Sequence, residues 1–454
     1  MAYRSFDPYR QQLIAEYDSD SDRILGEKIG AVHLAFSEWR LTSLEKRCGL
    51  VSNLADVLIL ERERFAETAV REMGKPVSQA IAEVEKCADL CRYYASNAAL
   101  FLRPVDRKSG ARRSMVTYDP QGIILGVMPW NYPYWQVYRF VVPALLSGNC
   151  TLLKHASNVT GCALMIGESL EKAGFPDSVF RVILPDHNQL GKIISMPEIR
   201  GVALTGSNEA GSVIASHAGR NIKKTVMELG GSDPLIIFPD ADIAKAVAGA
   251  FTGRFLNNGQ SCIAAKRFIV HDSLADQFLH LLLERVGNAT VGDPMNSDVW
   301  FSTVVNAAAA KEIHNQVESS VAMGARLISG GGIDTGCPAF YKPAILTNIP
   351  DNSPLSVDEV FGPVASVFRF ETTQEALSVA NSTRFGLGAS VWTADEEFAL
   401  DLARNLDCGT VAINGFVRSD PAMPFGGVKD SGYGRELSEE AIREFVNIRS
   451  ISVY

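Results

Sequence analysis

Three polar residues of this sequence could together form a catalytic site, and the first of them is a single thiol, Cys262. It ends residues 255–262, which read FLNNGQSC. Because the Asn-Asn-Gly-Gln run suits neither a helix interior nor a strand interior, it predicts a loop from which the thiol can be reached. The alternative is a core cysteine, since free cysteines are among the most buried residues of soluble proteins.

The other two residues, Glu228 and Asn131, are polar side chains among apolar and turn-forming neighbours. Residues 225–234 read TVMELGGSDP and residues 128–133 read MPWNYP. With Cys262 they have the residue types of a nucleophile, a base and an oxyanion donor. Alternatives remain for both: Asn131 as a turn residue before Pro133, and Glu228 as a buried carboxylate that caps a helix or pairs with a Lys or Arg.

Three further segments accompany this trio. They are TGS at residues 205–207 followed by Gly211, EVFGP at residues 359–363, and PFGGVKDSG at residues 424–432. On these six motifs, in this order, the sequence resembles the aldehyde dehydrogenase superfamily over nearly its whole length. Within the superfamily it is most similar to the short bacterial NADP-dependent succinate-semialdehyde dehydrogenases.

The resemblance implies oxidation of an aldehyde through a covalent intermediate. The Cys262 thiolate would attack the carbonyl to form a thiohemiacetal anion, which the Asn131 amide and the Cys262 N–H would stabilise. One fixed donor of this kind typically contributes about 3 kcal/mol in the transition state. After hydride transfer a thioester remains, and Glu228, with its pKa raised by apolar neighbours, would activate the water that hydrolyses it.

Cofactor binding has no standard dinucleotide fingerprint here, since the sequence contains neither GxGxxG nor a P-loop. Instead, Thr205, Gly206 and Ser207 follow a predicted strand and open a helix that runs through Gly211. Backbone N–H groups at such a helix start can hold a pyrophosphate, and Ser207 can add its hydroxyl. The resemblance implies the same role, although a plain strand-to-helix turn would give the same pattern.

Lys154 and Ser157 favour NADP over NAD. Lys154 closes a predicted strand and Ser157 lies three residues later. NAD-preferring relatives usually carry a glutamate at the position of Ser157, where it accepts from the ribose hydroxyls and repels a 2'-phosphate. Serine removes that repulsion and Lys154 can pair with the phosphate, so NADP is the predicted cofactor, with NAD possible. The alternative is a surface lysine beside a neutral serine at a helix start.

The resemblance also assigns cofactor contacts to Trp130, Glu359 and Phe361. Glu359 would hold the nicotinamide ribose, and Phe361 would contact the ring. Without the motif, Glu359 would be interpreted as a loop acid and Phe361 as a core aromatic residue.

Substrate binding is predicted for Arg139, Trp135 and Ser419. Arg139 lies eight residues after Asn131, about two helical turns along, and corresponds to a carboxylate-binding arginine in succinate-semialdehyde dehydrogenases. Ser419 falls in the loop that lines the substrate tunnel of the family, and Trp135 would supply an apolar wall. Arg139 as an interdomain ion-pair residue is the alternative, and Arg418 is a rival partner for the carboxylate.

The predicted reaction is NADP-dependent oxidation of succinic semialdehyde to succinate. Within the same class, glutarate semialdehyde or an uncharged aldehyde is the alternative. Transfer of the acyl group to coenzyme A is a second alternative, against which Glu228 argues because an acylating enzyme needs no water-activating base. A non-catalytic protein on the same scaffold would not be expected to keep all three catalytic residues.

Strands that alternate with helices predict an α/β fold with two doubly wound parallel-sheet domains, one Rossmann-like for the cofactor and one catalytic. The predicted bounds are residues 1–101 and 121–227 for the cofactor domain and 228–440 for the catalytic domain. The resemblance adds a small β oligomerisation arm at residues 102–120 and 441–454, and with it a homodimer or tetramer.

Within this plan, residues 22–102 are predicted to be helical and residues 114–118 to form an edge strand. Lys86, in the Glu85-Lys86 pair, is interpreted as part of a solvated helix face.

Composition limits the partners. The chain of 454 residues is 46% hydrophobic and carries a net charge of -9, which argues against a nucleic-acid surface. Its eight cysteines have neither disulfide-framework nor metal-ligand spacing. No signal peptide and no apolar run of membrane-spanning length are evident. We therefore expect a cytoplasmic enzyme with a small-molecule aldehyde substrate, no metal, no nucleic acid and no membrane contact.

Overall fold

The structure, a computed structural model, describes residues 3–454, and its N-terminal part is a hairpin followed by four helices. The hairpin consists of β1 (Tyr3–Asp7) and β2 (Gln12–Tyr17), to which the sequence analysis assigned no element. The helices are α1 (Asp22–Trp39), α2 (Leu44–Leu60), α3 (Arg62–Met73) and α4 (Val77–Phe101). The Ser21 side chain caps α1, and its apolar residues at three- and four-residue spacing are buried. The helical prediction for this part of the chain is confirmed.

The first large sheet has six strands in the order β19-β9-β8-β5-β6-β7. These strands are β5 (Ile123–Met128), β6 (Cys150–His155), β7 (Phe180–Val182), β8 (Ile199–Thr205), β9 (Lys224–Glu228) and β19 (Gly432–Tyr433). The strands β5 to β9 are parallel, and only the short β19 joins antiparallel. Most residues of β5 and β6 are buried, as expected where helices cover both faces of a sheet.

The second large sheet has seven strands in the order β12-β13-β14-β11-β10-β16-β17. They are β10 (Asp233–Ile237), β11 (Ala265–His271), β12 (Arg326–Ser329), β13 (Ala344–Thr347), β14 (Val364–Phe370), β16 (Gly388–Trp392) and β17 (Thr410–Ile413). Only β12, at the edge, runs antiparallel to its neighbour. Two mainly parallel sheets confirm the predicted fold class.

The chain passes from one sheet to the other between Glu228, which ends β9, and Asp233, which begins β10. This change of sheet lies next to the predicted domain boundary at residue 228. A later segment returns to the first sheet, where Gly432 of β19 pairs with Glu228. The predicted catalytic domain therefore contributes one strand to the sheet of the predicted cofactor domain.

A separate three-stranded antiparallel sheet has the order β20-β4-β3. Its strands are β3 (Val105–Arg107), β4 (Arg113–Pro120) and β20 (Val446–Val453). The prediction of β4 as an edge strand is wrong: it is the middle strand, because β20 pairs along its whole length from Val446 to Val453. The resemblance had implied this partnership with the C-terminal strand.

The remaining elements cover the sheets and connect them. The helices are α5 (Trp135–Leu146), α6 (Thr160–Lys172), α7 (His187–Ser195), α8 (Asn208–Arg220), α9 (Ile243–Phe255), α10 (Asp272–Gly287), α11 (Ala307–Ala322), α12 (Pro354–Val357), α13 (Thr373–Asn381), α14 (Glu396–Ala403) and α15 (Ser438–Glu444). Short 3-10 turns occupy Ser157–Val159 and Leu256–Gly259, and β15 (Phe385–Gly386) pairs with β18 (Val428–Lys429). Among residues 3–454, no helix combines the length and apolar character that crossing a bilayer requires.

Candidate active site

The thiol of Cys262 lies in a loop whose backbone is held in an unusual conformation. After α9 ends at Phe255, Asn257, Asn258 and Gly259 take φ values of 56°, 54° and 72°. Asparagine and glycine tolerate this left-handed region better than other residues, so the Asn-Asn-Gly run suits it. A side chain at Gly259 would also place its Cβ 2.4 Å from the carbonyl oxygen of Gly362.

Buried side chains fix this loop to its surroundings. Asn257 donates from Nδ2 to the carbonyl oxygen of Asn131 at 2.8 Å, and Asn258 donates to that of Thr303 at 3.0 Å. Lys266 donates from Nζ to the carbonyl oxygen of Cys262 at 2.8 Å. The thiol therefore projects from a rigid loop, as a positioned nucleophile requires.

Cys262 is a neutral thiol at neutral pH. Burial raises its pKa to about 12, and the nearby charges of Arg139 and Lys266 offset only part of that rise. Because the thiolate is the nucleophilic form, a proton acceptor must act before Cys262 can attack.

The predicted oxyanion donors lie beside the same loop. Asn131 is buried, and its Nδ2 donates to the carbonyl oxygen of Gln260 at 3.0 Å. An amide nitrogen carries two protons, so one remains for another acceptor. The N–H of Cys262 makes no hydrogen bond to another backbone or side-chain group of residues 3–454.

Glu228 is buried at the end of β9 without a hydrogen-bonding partner. Within the described part of the chain, neither of its carboxylate oxygens accepts a hydrogen bond, so Glu228 neither caps a helix nor forms the ion pair considered as an alternative. Burial and then the nearby Glu436 hold its pKa well above the usual range. Its charge also acts on Cys262, so the two groups lie within electrostatic range.

Arg139 is buried but already has an acidic partner. It forms an ion pair with Glu436, donates from Nη2 to Thr205 Oγ1 at 3.2 Å, and stacks its guanidinium over Phe425 at 4.9 Å. A buried carboxylate such as Glu436 needs a counter-charge. This geometry favours the ion-pair alternative over the predicted contact with a substrate carboxylate.

Trp135 and Ser419, the other predicted substrate residues, meet at Lys86. Lys86 donates from Nζ to Ser419 Oγ at 2.7 Å, and Nζ lies 4.0 Å from the centre of the Trp135 ring. The interpretation of Lys86 as part of a solvated face is wrong. Its helix, α4, turns this side chain inward toward a loop 333 residues away in sequence, so no local pattern could have shown the contact.

A buried ion pair that the sequence analysis did not identify supports the start of α5. Lys75 and Glu83 pair with each other, and Lys75 Nζ also lies 3.9 Å from the centre of the Tyr132 ring. Glu83 accepts from the backbone N–H groups of Tyr134 at 2.9 Å and Trp135 at 3.0 Å. The pair thus orients the segment that carries Asn131 and Trp135.

The predicted pyrophosphate residues lie between β8 and α8. Ser207 caps α8, accepting from the N–H of Ala210 at 3.2 Å, and Gly206 directly precedes it. Gly211 has a packing role, since a Cβ there would lie 2.5 Å from the side chain of Leu229. The free N–H groups of the first turn of α8 are suited to an anion.

Lys154 and Ser157 lie at the end of β6. Lys154 is half-buried, its pKa is lowered by burial, and across residues 3–454 its ammonium has no carboxylate or hydrogen-bonding partner. Ser157 is exposed at the start of a 3-10 turn. An unpaired ammonium beside an exposed hydroxyl fits a phosphate group.

Trp130, Phe361 and Glu359 lie on the segments that flank the Cys262 loop. The rings of Trp130 and Phe361 meet edge to face with centroids 5.7 Å apart. Glu359 accepts from the N–H of Gly231 at 3.1 Å and pairs with Lys266 at 3.2 Å. Because Lys266 also holds the Cys262 carbonyl, Glu359 is connected to the nucleophile loop by one side chain.

Comparison with known proteins adds to this geometry. The model of the aldehyde dehydrogenase family matches residues 1–451. The chain belongs to the aldehyde dehydrogenase family.

Relatives and solved structures cover nearly the full length of this family member. A succinate-semialdehyde dehydrogenase (NADP(+)) 1 of Mycobacterium bovis is 43% identical over 454 residues and 99% of both chains. An aldehyde dehydrogenase of Paenarthrobacter nicotinovorans is 41% identical over 455 residues, again 99% of each. The crystal structure of succinic semialdehyde dehydrogenase from Streptococcus pyogenes in complex with NADP+ superposes with a TM-score of 0.97, at 34% identity and 100% of both chains.

Proposed function

We propose that this aldehyde dehydrogenase oxidises succinic semialdehyde to succinate with NADP as the cofactor. The observation that carries the proposal is the buried, unpartnered Glu228 carboxyl within electrostatic range of the Cys262 thiol. Such a group can accept a proton and activate water, which hydrolysis of a thioester needs and transfer to coenzyme A does not. The relatives named as NADP-dependent succinate-semialdehyde dehydrogenases support the choice of substrate and cofactor.

The chemistry begins at Cys262. The thiol gives its proton to solvent water, sulfur then attacks the aldehyde carbon, and the oxygen of the resulting thiohemiacetal accepts hydrogen bonds from the Asn131 amide and the Cys262 N–H. NADP, when bound, supplies the hydride acceptor. The acyl group is then a thioester on Cys262, and water, deprotonated by Glu228, releases succinate and restores the thiol.

Glu228 can act as the base only in its ionised form. Burial and Glu436 raise its pKa, so at a given pH a smaller fraction of Glu228 is ionised than of an ordinary glutamate. The ionised fraction grows as pH rises toward that pKa, and hydrolysis of the thioester should accelerate over the same range.

For the cofactor, Lys154 and Ser157 would hold the 2'-phosphate and the start of α8 would hold the pyrophosphate. The support is the ammonium of Lys154, half-buried and without a counter-ion in the described chain, beside a hydroxyl that carries no negative charge. Glu359, Trp130 and Phe361 are proposed to contact the nicotinamide end.

We also propose that the three-stranded arm joins copies of this chain into a dimer or tetramer. The supporting observation is the outer strand β20, on which Ile448 is 62% exposed although it is a large apolar residue.

The experiment that tests the proposed reaction is a steady-state survey of the purified enzyme. Succinic semialdehyde, glutarate semialdehyde and butanal are each assayed with NADP and with NAD, with and without coenzyme A, and Cys262→Ala serves as the inactive control. We expect the highest kcat/KM for succinic semialdehyde with NADP and no dependence on coenzyme A. A higher value for another aldehyde, or an acyl-coenzyme A product, would replace the proposed reaction.

A further inference from the structure

Lys86, Trp135 and Ser419, here called the Lys86 cluster, carry hydrogen-bond donors that are only partly used. Trp135 is 3% exposed, and its Nε1 donor has no acceptor among the described residues. The ammonium of Lys86 lies over the same indole ring and holds the Ser419 hydroxyl, which is 7% exposed. An indole N–H without an acceptor beside an ammonium without a counter-ion makes the cluster suited to an anionic ligand.

No acidic side chain balances the charge of Lys86. Across residues 3–454, no carboxylate lies within ion-pair distance of its Nζ atom. Of the two acids that face it, Glu83 is paired with Lys75, and Asp420 accepts from the N–H of Ala422 at 2.8 Å. A largely buried ammonium without a counter-ion is unfavourable, and an arriving carboxylate would relieve that cost.

The electrostatic surroundings agree with this geometry. Burial, and then the positive charge of Arg139, lower the pKa of Lys86 to about 8; Cys87, Glu83 and Asp420 act in the opposite direction. Arg139 itself is neutralised by Glu436. Of these two neighbouring cations, Lys86 is therefore the one whose positive charge has no acidic partner.

The cluster is connected to the nucleophile loop through the segment that carries Asn131. Trp135 follows Asn131 by four residues, and the Asn131 amide holds the carbonyl of Gln260, two residues before Cys262. The three carbon–carbon bonds that separate the aldehyde carbon from the carboxylate carbon of succinic semialdehyde span roughly 4 Å. For Lys86 to bind it, the carboxylate of a substrate attacked by Cys262 must lie at the Lys86 cluster.

We propose that Lys86 is the residue that binds the distal carboxylate of the substrate, with the Ser419 hydroxyl and the Trp135 indole N–H as its other donors. The charge of Arg139 is already balanced by Glu436. This inference rests on the proposed function and names the specificity-determining residue for it.

The test compares Lys86→Met with the wild type on two substrates of equal chain length, succinic semialdehyde and butanal. Methionine keeps the length and apolar stem of lysine and removes the charge. We expect kcat/KM for succinic semialdehyde to fall about 30- to 5000-fold, the range for removing one partner of a buried charge pair. The value for butanal should change less than about threefold, because butanal has no carboxylate for Lys86 to bind.

Arg418→Met is the matched control. Arg418 is an exposed neighbour of Ser419 whose guanidinium stacks 4.1 Å from the centre of the Phe416 ring, so its loss removes a charge from the same loop outside the cluster. We expect both of its kcat/KM values to stay within about twofold of the wild type. A selective loss for succinic semialdehyde in Arg418→Met, with none in Lys86→Met, would overturn the inference.

A second variant covers the case in which Lys86→Met folds poorly. Lys86→Arg keeps a charge that does not titrate below pH 12. In the wild type, the ratio of kcat/KM for succinic semialdehyde to that for butanal should fall as pH rises through about 8, because Lys86 loses its proton there. In Lys86→Arg the ratio should stay above one and should not fall over this pH range.

The outcomes separate the two proposals. If the wild type shows no preference for succinic semialdehyde over butanal, the proposed function fails whatever the variants do. If the wild type has the preference and Lys86→Met keeps it, the inference fails and the proposed function stands. A selective loss in Arg139→Met alone would assign the carboxylate to Arg139.

Discussion

At the scale of single residues, the site depends on groups whose charge is controlled by burial. Burial raises the pKa of the Cys262 thiol to about 12 and holds the pKa of the Glu228 carboxyl well above its usual range, so it disfavours the charged form of both groups. A neutral thiol is less exposed to oxidation than a thiolate. The enzyme must therefore generate its nucleophile when the substrate is present.

Replacing Glu228 by Gln should separate the two halves of the reaction. Hydride transfer does not need Glu228 once Cys262 has lost its proton, whereas hydrolysis of the thioester does. We expect a burst of up to one NADPH per site, followed by steady-state turnover about 10²- to 10⁴-fold below the wild type. Stopped-flow absorbance of NADPH measures both phases, and a steady state equal to the wild type would assign the base to another residue.

The same variant should be more stable than the wild type at alkaline pH. The folded pKa of Glu228 lies above its unfolded value, so the folded chain retains a proton that the unfolded chain releases. Stability is therefore lost as pH rises from the unfolded pKa through the folded pKa, and glutamine cannot ionise. The difference in Tm between Glu228→Gln and the wild type, measured between pH 5 and 9, should grow with pH; a constant difference would contradict a buried neutral acid.

Ser157→Glu should shift cofactor preference from NADP toward NAD. The new carboxylate lies near Lys154, where it would repel a 2'-phosphate and accept from ribose hydroxyls. We expect the ratio of kcat/KM for NADP to that for NAD to fall by at least about tenfold. Ser157→Gln, of similar size and without charge, is the control; an equal fall in both variants would mean that size and not charge is responsible.

At the scale of elements, α4 supports the site along one of its faces. Gln79 accepts from the N–H of Asn257 at 2.7 Å, Glu83 accepts from the first residues of α5, and Lys86 reaches Ser419. These positions are four and three residues apart, so they follow one stripe of the helix. The helix α4 thus contacts the loop of Cys262, the segment that carries Asn131 and the loop of Ser419, and it fixes their positions relative to one another.

Glu83→Ala should destabilise the enzyme strongly. It would leave the buried Lys75 without a counter-charge and two backbone N–H groups of α5 without an acceptor, and breaking a buried pair costs about 3–5 kcal/mol. Urea denaturation of Glu83→Ala measures the free energy of unfolding. Glu85→Ala, at an exposed position of the same helix, should change it by less than about 0.5 kcal/mol, and equal effects would argue against a supporting role for Glu83.

The features that could be predicted from the sequence are those determined by neighbouring residues. The Asn-Asn-Gly run before Cys262 predicted a loop, and the apolar run of β5 predicted a buried strand. The partners of Arg139 and Lys86 could not be predicted in this way, because Glu436 and Ser419 lie about 300 residues away in sequence. The residues next to a charged side chain do not show which distant residue it contacts. The position of β4 in its sheet likewise depends on β20, since strand pattern predicts burial but not pairing order.

At the scale of the whole molecule, the arm sheet is the feature that suggests assembly. The sheet leaves β20 at its margin with exposed apolar side chains, Ile448, Ile451 and Val453. Edge strands with exposed apolar side chains are prone to associate with another chain.

Ile448→Asp should therefore dissociate the assembly. A charge on the exposed face of β20 would oppose burial against a second copy, and we expect a shift from dimer or tetramer to monomer at micromolar concentration. Size-exclusion chromatography with light scattering measures the mass. Leu60→Asp, at an exposed apolar residue at the end of α2, is the control and should leave the mass unchanged; a monomeric wild type would contradict the proposed arm.

The return of the chain to Glu228 has a consequence for synthesis. Gly432 pairs with Glu228, Ser431 accepts from the N–H of Leu229 at 3.0 Å, and Gly426 leaves no space for a side chain near Glu228 Oε1. A nascent chain that has emerged only to residue 420 contains Cys262, Asn131 and every strand of the two large sheets except β19, but it lacks the residues that pack on Glu228 from this later segment. The surroundings of the proposed base are therefore completed only when residues 424–432 have been synthesised and have returned to the first sheet.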